Sequence, residues 1–116
     1  MRKVKIEIEV ELDDNNVPQS IQWSSDDPPS SGQKTDAKAF FLSVFDTETL
    51  ETLKIDLWTP KFEVGEINRL MFYSFRSMSE SYHRATKNAE LSNDMARFAQ
   101  YFGEEVGILK KPEDEN

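Results

Sequence analysis

The sequence predicts an α+β fold: a four-stranded antiparallel sheet followed by a two-helix hairpin packed on one face. Three observations predict it. Near the start, Val4, Ile6, Ile8, Val10 and Leu12 alternate with charged residues. From Ala37 to Thr59, a Phe-rich run and a second alternating run face each other across a polar turn. From Gly65 the apolar period lengthens from two residues to that of a helix.

The first strand is the clearest element. Its apolar residues face a core, while Lys3, Lys5, Glu7, Glu9 and Glu11 face water. Asp13-Asp14-Asn15-Asn16 and Pro18 supply turn chemistry, and Ile21 and Trp23 resume the alternation. A hairpin that keeps both apolar sets on one face puts Val10 opposite Ile21 and Ile8 opposite Trp23. Residues 24–36, with two consecutive prolines, read as a long, polar, unpacked loop. Lys38 to Phe45 suits a short helix or a strand; its Phe and Val content and the turn that follows select strand. Phe40, Leu42 and Val44 then share one face, and Phe41, Ser43 and Phe45 the other. After the turn at 46–49, Thr52 to Trp58 pairs with it, Leu42 opposite Ile55.

In the first helix, Ile67, Leu70, Met71, Ser74, Phe75, Met78, Tyr82 and Ala85 form an apolar stripe. Asn88 is a suitable N-cap for the second, whose stripe is Leu91, Met95, Phe98, Ala99 and Phe102, with Gly103 as its stop. Few residues separate the two, so they should be antiparallel. The expected organisation is a single α+β domain over residues 1–109 and a disordered acidic tail over 110–116.

Composition narrows the function by exclusion. The 116 residues carry a net charge of −8, which serves solubility and repels nucleic acid and anionic lipid. With no cysteine there is no disulfide, thiol nucleophile or cysteine-zinc site. The alternation after Arg2 and Lys3 interrupts any signal-peptide core, no run is long enough for a membrane span, and no lipidation motif is present. A cytoplasmic protein is expected, without membrane insertion.

No residue set forms a catalytic kit. His83 is the only histidine; catalysis would need a nucleophile or carboxylate aimed at it, and a metal would need further ligands. Asp13 to Asn16 lacks the spacing of a calcium loop and reads as a turn. Asp26, Asp27 and Asp36 read as surface charge. No catalytic, cofactor-binding or metal-binding residue is therefore expected, and the chain is read as not an enzyme. The unusual feature is aromatic: if the helices cover the Leu42 face, then Phe41, Phe45 and Trp58 project from the other, as a candidate interaction surface. The alternative is that the long loop folds over them, or that they straddle the sheet edge.

Several stretches together resemble the gliding motility-associated GldC family: the opening strand, Trp23, Ala37-Lys38-Ala39, Leu42-Ser43-Val44-Phe45-Asp46, Lys54-Ile55-Asp56-Leu57-Trp58-Thr59, Arg84-Ala85-Thr86, and Asp94-Met95 through Tyr101-Phe102. The likeness extends over about residues 3–109. It implies a small cytoplasmic accessory protein of a gliding machinery that spans the envelope and is shared with a secretion system. The family is associated with a lipoprotein, GldB, and with no enzymatic activity or cofactor. Together, residues and resemblance predict a protein that acts by protein–protein interaction, with a partner from the gliding machinery or with itself. The alternative is a small-molecule-binding regulator holding a ligand between sheet and helices.

Overall fold

The structure is a computed structural model that describes residues 1–112, and the chain divides into two compact units, Met1–Phe62 and the part from Glu63 onward. The first unit is all β. Strands β1 (Ile6–Leu12), β2 (Pro18–Ser25) and β3 (Thr35–Ala37) form an antiparallel sheet in that order. Strands β4 (Ala39–Phe45) and β5 (Thr52–Trp58) form a separate two-stranded antiparallel sheet.

One four-stranded sheet was expected, and the difference lies at Lys38. The third expected strand, Lys38 to Phe45, is β4 and pairs with β5, Ala39 opposite Trp58, while an additional short strand just before it, β3, pairs with β2, Ala37 opposite Ile21, and the chain bends between the two. At the bend, the Lys38 carbonyl accepts the Thr59 amide at 2.8 Å and the Thr59 hydroxyl at 3.3 Å. Thr59 is buried in making these bonds. A carbonyl committed to the exit of β5 is not available to continue the β2 ladder.

The β1–β2 register is the expected one, Val10 opposite Ile21 and Ile8 opposite Trp23. Asp13 makes the turn: its Oδ1 accepts the amides of Asn15 and Val17 at 2.8 and 3.0 Å. The core is smaller than the alternation implied. Ile21, in the central strand, is 1% exposed, and Val10 is half-buried. Val4, Ile6, Ile8 and Leu12, expected to face a core, are exposed. β1 is an edge strand.

The stretch expected to be an unpacked loop has its own order. Ser24 and Ser25 complete β2, and Thr35 to Ala37 form β3. Between them Ser30 is buried; its hydroxyl accepts the Ser25 amide at 3.0 Å and donates to the Gln33 carbonyl at 2.6 Å. The aspartates read as surface charge also make hydrogen bonds. Asp26 exchanges hydrogen bonds with the backbone of Lys5, and Asp27 takes a two-pronged bond from the Arg2 guanidinium. Asp36 accepts from the Gln22 amide.

The second unit is an antiparallel helix pair, α1 (Val64–Thr86) and α2 (Ala89–Glu105). The Glu66 carboxylate caps the first turn of α1 by accepting the Glu63 amide at 3.0 Å. Lys87, at φ +58°, ends α1, and the Asn88 side chain starts α2 by accepting the Leu91 amide, the cap expected from the sequence.

Two details of this unit differ from expectation. The most buried large side chain is Phe72, 1% exposed and outside the expected stripe, whereas Met78 lies exposed. Ser79, Ser92, Ala99 and Gly103 are also buried, so the helices approach over small residues that hydrophobicity does not mark. Gly103 does not stop α2. It lies inside the helix because a Cβ there would stand 2.6 Å from the Phe72 ring. The chain turns at Gly107, φ +82°, and the amides of Ile108 and Leu109 both return to the Gly103 carbonyl. Of the tail expected at 110–116, Lys111 pairs with Glu105 at 3.3 Å, and residues 113–116 lie outside the described part.

Candidate protein-interaction surface

The β4–β5 hairpin is built by its turn. Asp46 Oδ1 accepts the amides of Glu48 and Thr49 at 2.9 and 2.8 Å, and the Asp46 carbonyl accepts that of Leu50. The hydrogen bonds from Thr49 and Glu48 favour the charged carboxylate and hold the Asp46 carboxyl below the usual aspartate range. A depressed folded-state pKa contributes stability above the unfolded value that is lost as pH falls through the folded one. Amide exchange at Glu48 and Thr49 should therefore speed up below about pH 4. In Asp46→Asn, which keeps the acceptor but does not titrate, that acid-side acceleration should vanish.

This turn sets the register: Phe41 opposite Asp56, Leu42 opposite Ile55, Ser43 opposite Lys54, Val44 opposite Leu53 and Phe45 opposite Thr52. All follow the sequence reading. One face carries Phe41, Phe45 and Trp58, the residues singled out from the sequence. Phe45 is 65% exposed, Trp58 50%, and Phe41 is half-buried. Between them the Lys54 ammonium lies 5.8 Å from the Phe41 ring centroid and 3.4 Å from Asp56 Oδ1. This face is an aromatic surface crossed by an exposed ion pair.

The opposite face is purely apolar. Phe40 pairs with Leu57, Leu42 with Ile55 and Val44 with Leu53. Leu42, Val44, Leu53 and Ile55, expected to lie under helices, are 36%, 48%, 53% and 51% exposed. The sequence reading missed them as surface residues because alternation assigns a side chain to a face without saying which face is covered. A two-stranded sheet is marginal in water on its own. This one exposes apolar side chains on both faces.

The residues weighed for chemistry are dispersed. His83 Nδ1 lies 3.3 Å from Ser92 Oγ, which is also 3.2 Å from the Ala89 carbonyl, and among the described residues no carboxylate is hydrogen-bonded to either group. Among the described residues no group of three or more His, Cys, Asp or Glu side chains could hold a metal ion, and no helix is long and apolar enough to cross a membrane.

Comparison with known proteins adds one finding. No curated protein and no solved structure matches the chain. The family described as gliding motility-associated protein GldC-like matches residues 18–108, from the first residue of β2 to just beyond α2; β1, part of the resemblance noted from the sequence, precedes the match. With more than half its length matched, including the bend at Lys38, the two-faced hairpin and both helices, the chain belongs to the GldC-like family of gliding motility-associated proteins.

Proposed function

We propose that this protein is a cytoplasmic, non-enzymatic accessory protein of bacterial gliding motility that works by presenting its β4–β5 hairpin to another protein of the gliding machinery. The family supplies the association with motility. The mode of action rests on the exposed ladder of Leu42, Val44, Leu53 and Ile55, backed on the other face by Phe45 and Trp58. Apolar side chains concentrated on one small sheet gain most by entering a partner's cleft. The net charge of −8, which disfavours docking on anionic lipid, supports a place away from the membrane surface.

The test is complementation of a gliding-deficient strain that lacks the protein. Leu42→Thr/Ile55→Thr keeps strand propensity while removing apolar surface. It should accumulate normally and fail to restore gliding. Full gliding with this variant would contradict the proposal.

A further inference from the structure

The helical unit holds a cleft that the hairpin's role does not use. It lies between α1 and α2, with a volume of about 750 Å³, in the range of small-molecule sites. Arg76, His83 and Arg84 line it from α1, Asn93 and Gln100 from α2, and Ala96 and Leu109 contribute apolar wall over the buried Phe72.

Its electrostatics run against those of the chain. The protein carries −8 overall, yet this cleft has two guanidiniums and one carboxylate, Glu80. Neither arginine has a carboxylate partner among the described residues. The Arg76 guanidinium stands over the rings of Phe72 and Tyr73, at 5.4 and 5.9 Å from their centroids. Arg84 donates to the Ser81 hydroxyl at 3.2 Å. The Arg76 stacking holds a planar, charged fork in place while leaving its N–H edge unused. His83 is oriented as well. Its Nδ1 lies 3.3 Å from Ser92 Oγ, within hydrogen-bond distance, and Nε2 is the ring nitrogen on the other side.

We infer that the α1–α2 cleft binds a small organic anion, its carboxylate or phosphate held by Arg76 and Arg84 and its apolar body against Ala96 and Leu109. Fixed guanidinium forks recognise planar or tetrahedral oxyanions by paired, charge-assisted hydrogen bonds. The mixed lining calls for a ligand with both a charged head and an apolar body, so an inorganic anion alone should bind less well. This site shares no residue with the hairpin, and its failure would leave the proposed function standing.

The experiment is an NMR titration of the isotope-labelled full chain with phenyl phosphate, benzoate, inorganic phosphate and benzyl alcohol. Saturable shifts at Arg76, His83, Arg84 and Gln100 are expected with phenyl phosphate, benzoate or both, and which of them binds assigns the head group. Inorganic phosphate should bind more weakly, and benzyl alcohol should not bind there. Arg84→Gln and Arg76→Gln should each weaken binding roughly tenfold, the loss expected for a charge-assisted hydrogen bond. Arg84 makes one side-chain bond, to exposed Ser81, so its replacement keeps the test valid if Arg76→Gln disturbs the fold. No shift with either organic anion, equal binding of benzyl alcohol, or undiminished affinity in Arg84→Gln would overturn the inference.

Discussion

Phe72→Ala should unfold the helix pair at a much lower temperature, with a loss of about 3–5 kcal/mol, the range for removing a buried aromatic ring. Phe72 is the most enclosed large side chain of its unit, packed against Gly103 and edge-on to Tyr73 with ring centroids 5.1 Å apart. The same contact makes Gly103 a sensitive position. In an open helix Gly→Ala gains about 1 kcal/mol. Here the new Cβ would meet Phe72 ring carbons at 2.6 and 2.8 Å and Leu109 Cδ1 at 2.9 Å. Overpacking of this kind costs about 1–3 kcal/mol and outweighs the propensity gain. Gly103→Ala should therefore destabilise the native protein, yet become neutral or stabilising in the Phe72→Ala background, where the ring is gone. A double-mutant cycle by thermal or denaturant melts reads this directly. Additive losses would show that the ring and the glycine do not share the space.

Leu42→Thr/Ile55→Thr and Phe41→Ser/Phe45→Ser should each leave a folded protein that has lost its partner. Leu42, Ile55 and Phe45 are exposed and Phe41 is half-buried. Replacing exposed side chains usually shifts stability by no more than about 0.5 kcal/mol. Truncating an anchor buried at the centre of an interface costs about 2 kcal/mol or more, a loss of roughly thirtyfold in affinity. The two pairs occupy opposite faces, so the comparison reports how the hairpin is held. Loss with both means it is gripped. Loss with only the Leu42 pair means it lies on a flat surface through its apolar ladder. If either pair unfolds the protein, that face belongs to a core. If both variants keep full binding, the hairpin is not the contact.

The hairpins were legible because a period of two leaves one register in which apolar side chains share a face. Ile8 with Trp23 and Leu42 with Ile55 follow from that rule alone. The break at Lys38 was not legible. No glycine or proline marks Ala37-Lys38-Ala39, and the bonds that hold the bend come from Thr59, 21 residues away. Ser30 and Ser79 were invisible for a related reason: small polar side chains become buried when they bond to backbone, which hydrophobicity does not score. Gly103 was seen but misread, because a glycine near a helix end signals either a stop or a close approach. The candidate surface was half legible. Alternation put Phe41, Phe45 and Trp58 together, and it put Leu42, Val44, Leu53 and Ile55 together just as clearly. The expectation that helices cover the second set came from fold class, not from the residues.

The central claim is that the hairpin contacts another protein of the gliding machinery. Its most direct measurement is photo-crosslinking in gliding cells, with a photoreactive amino acid at Val44 or Trp58 on the hairpin, or at Asn15 in the β1–β2 turn as a control. The account predicts a discrete crosslink to a gliding-machinery component from Val44 and Trp58 and none from Asn15. Cells that glide normally with hairpin positions crosslinked to nothing, or only to a second copy of this chain, would contradict it.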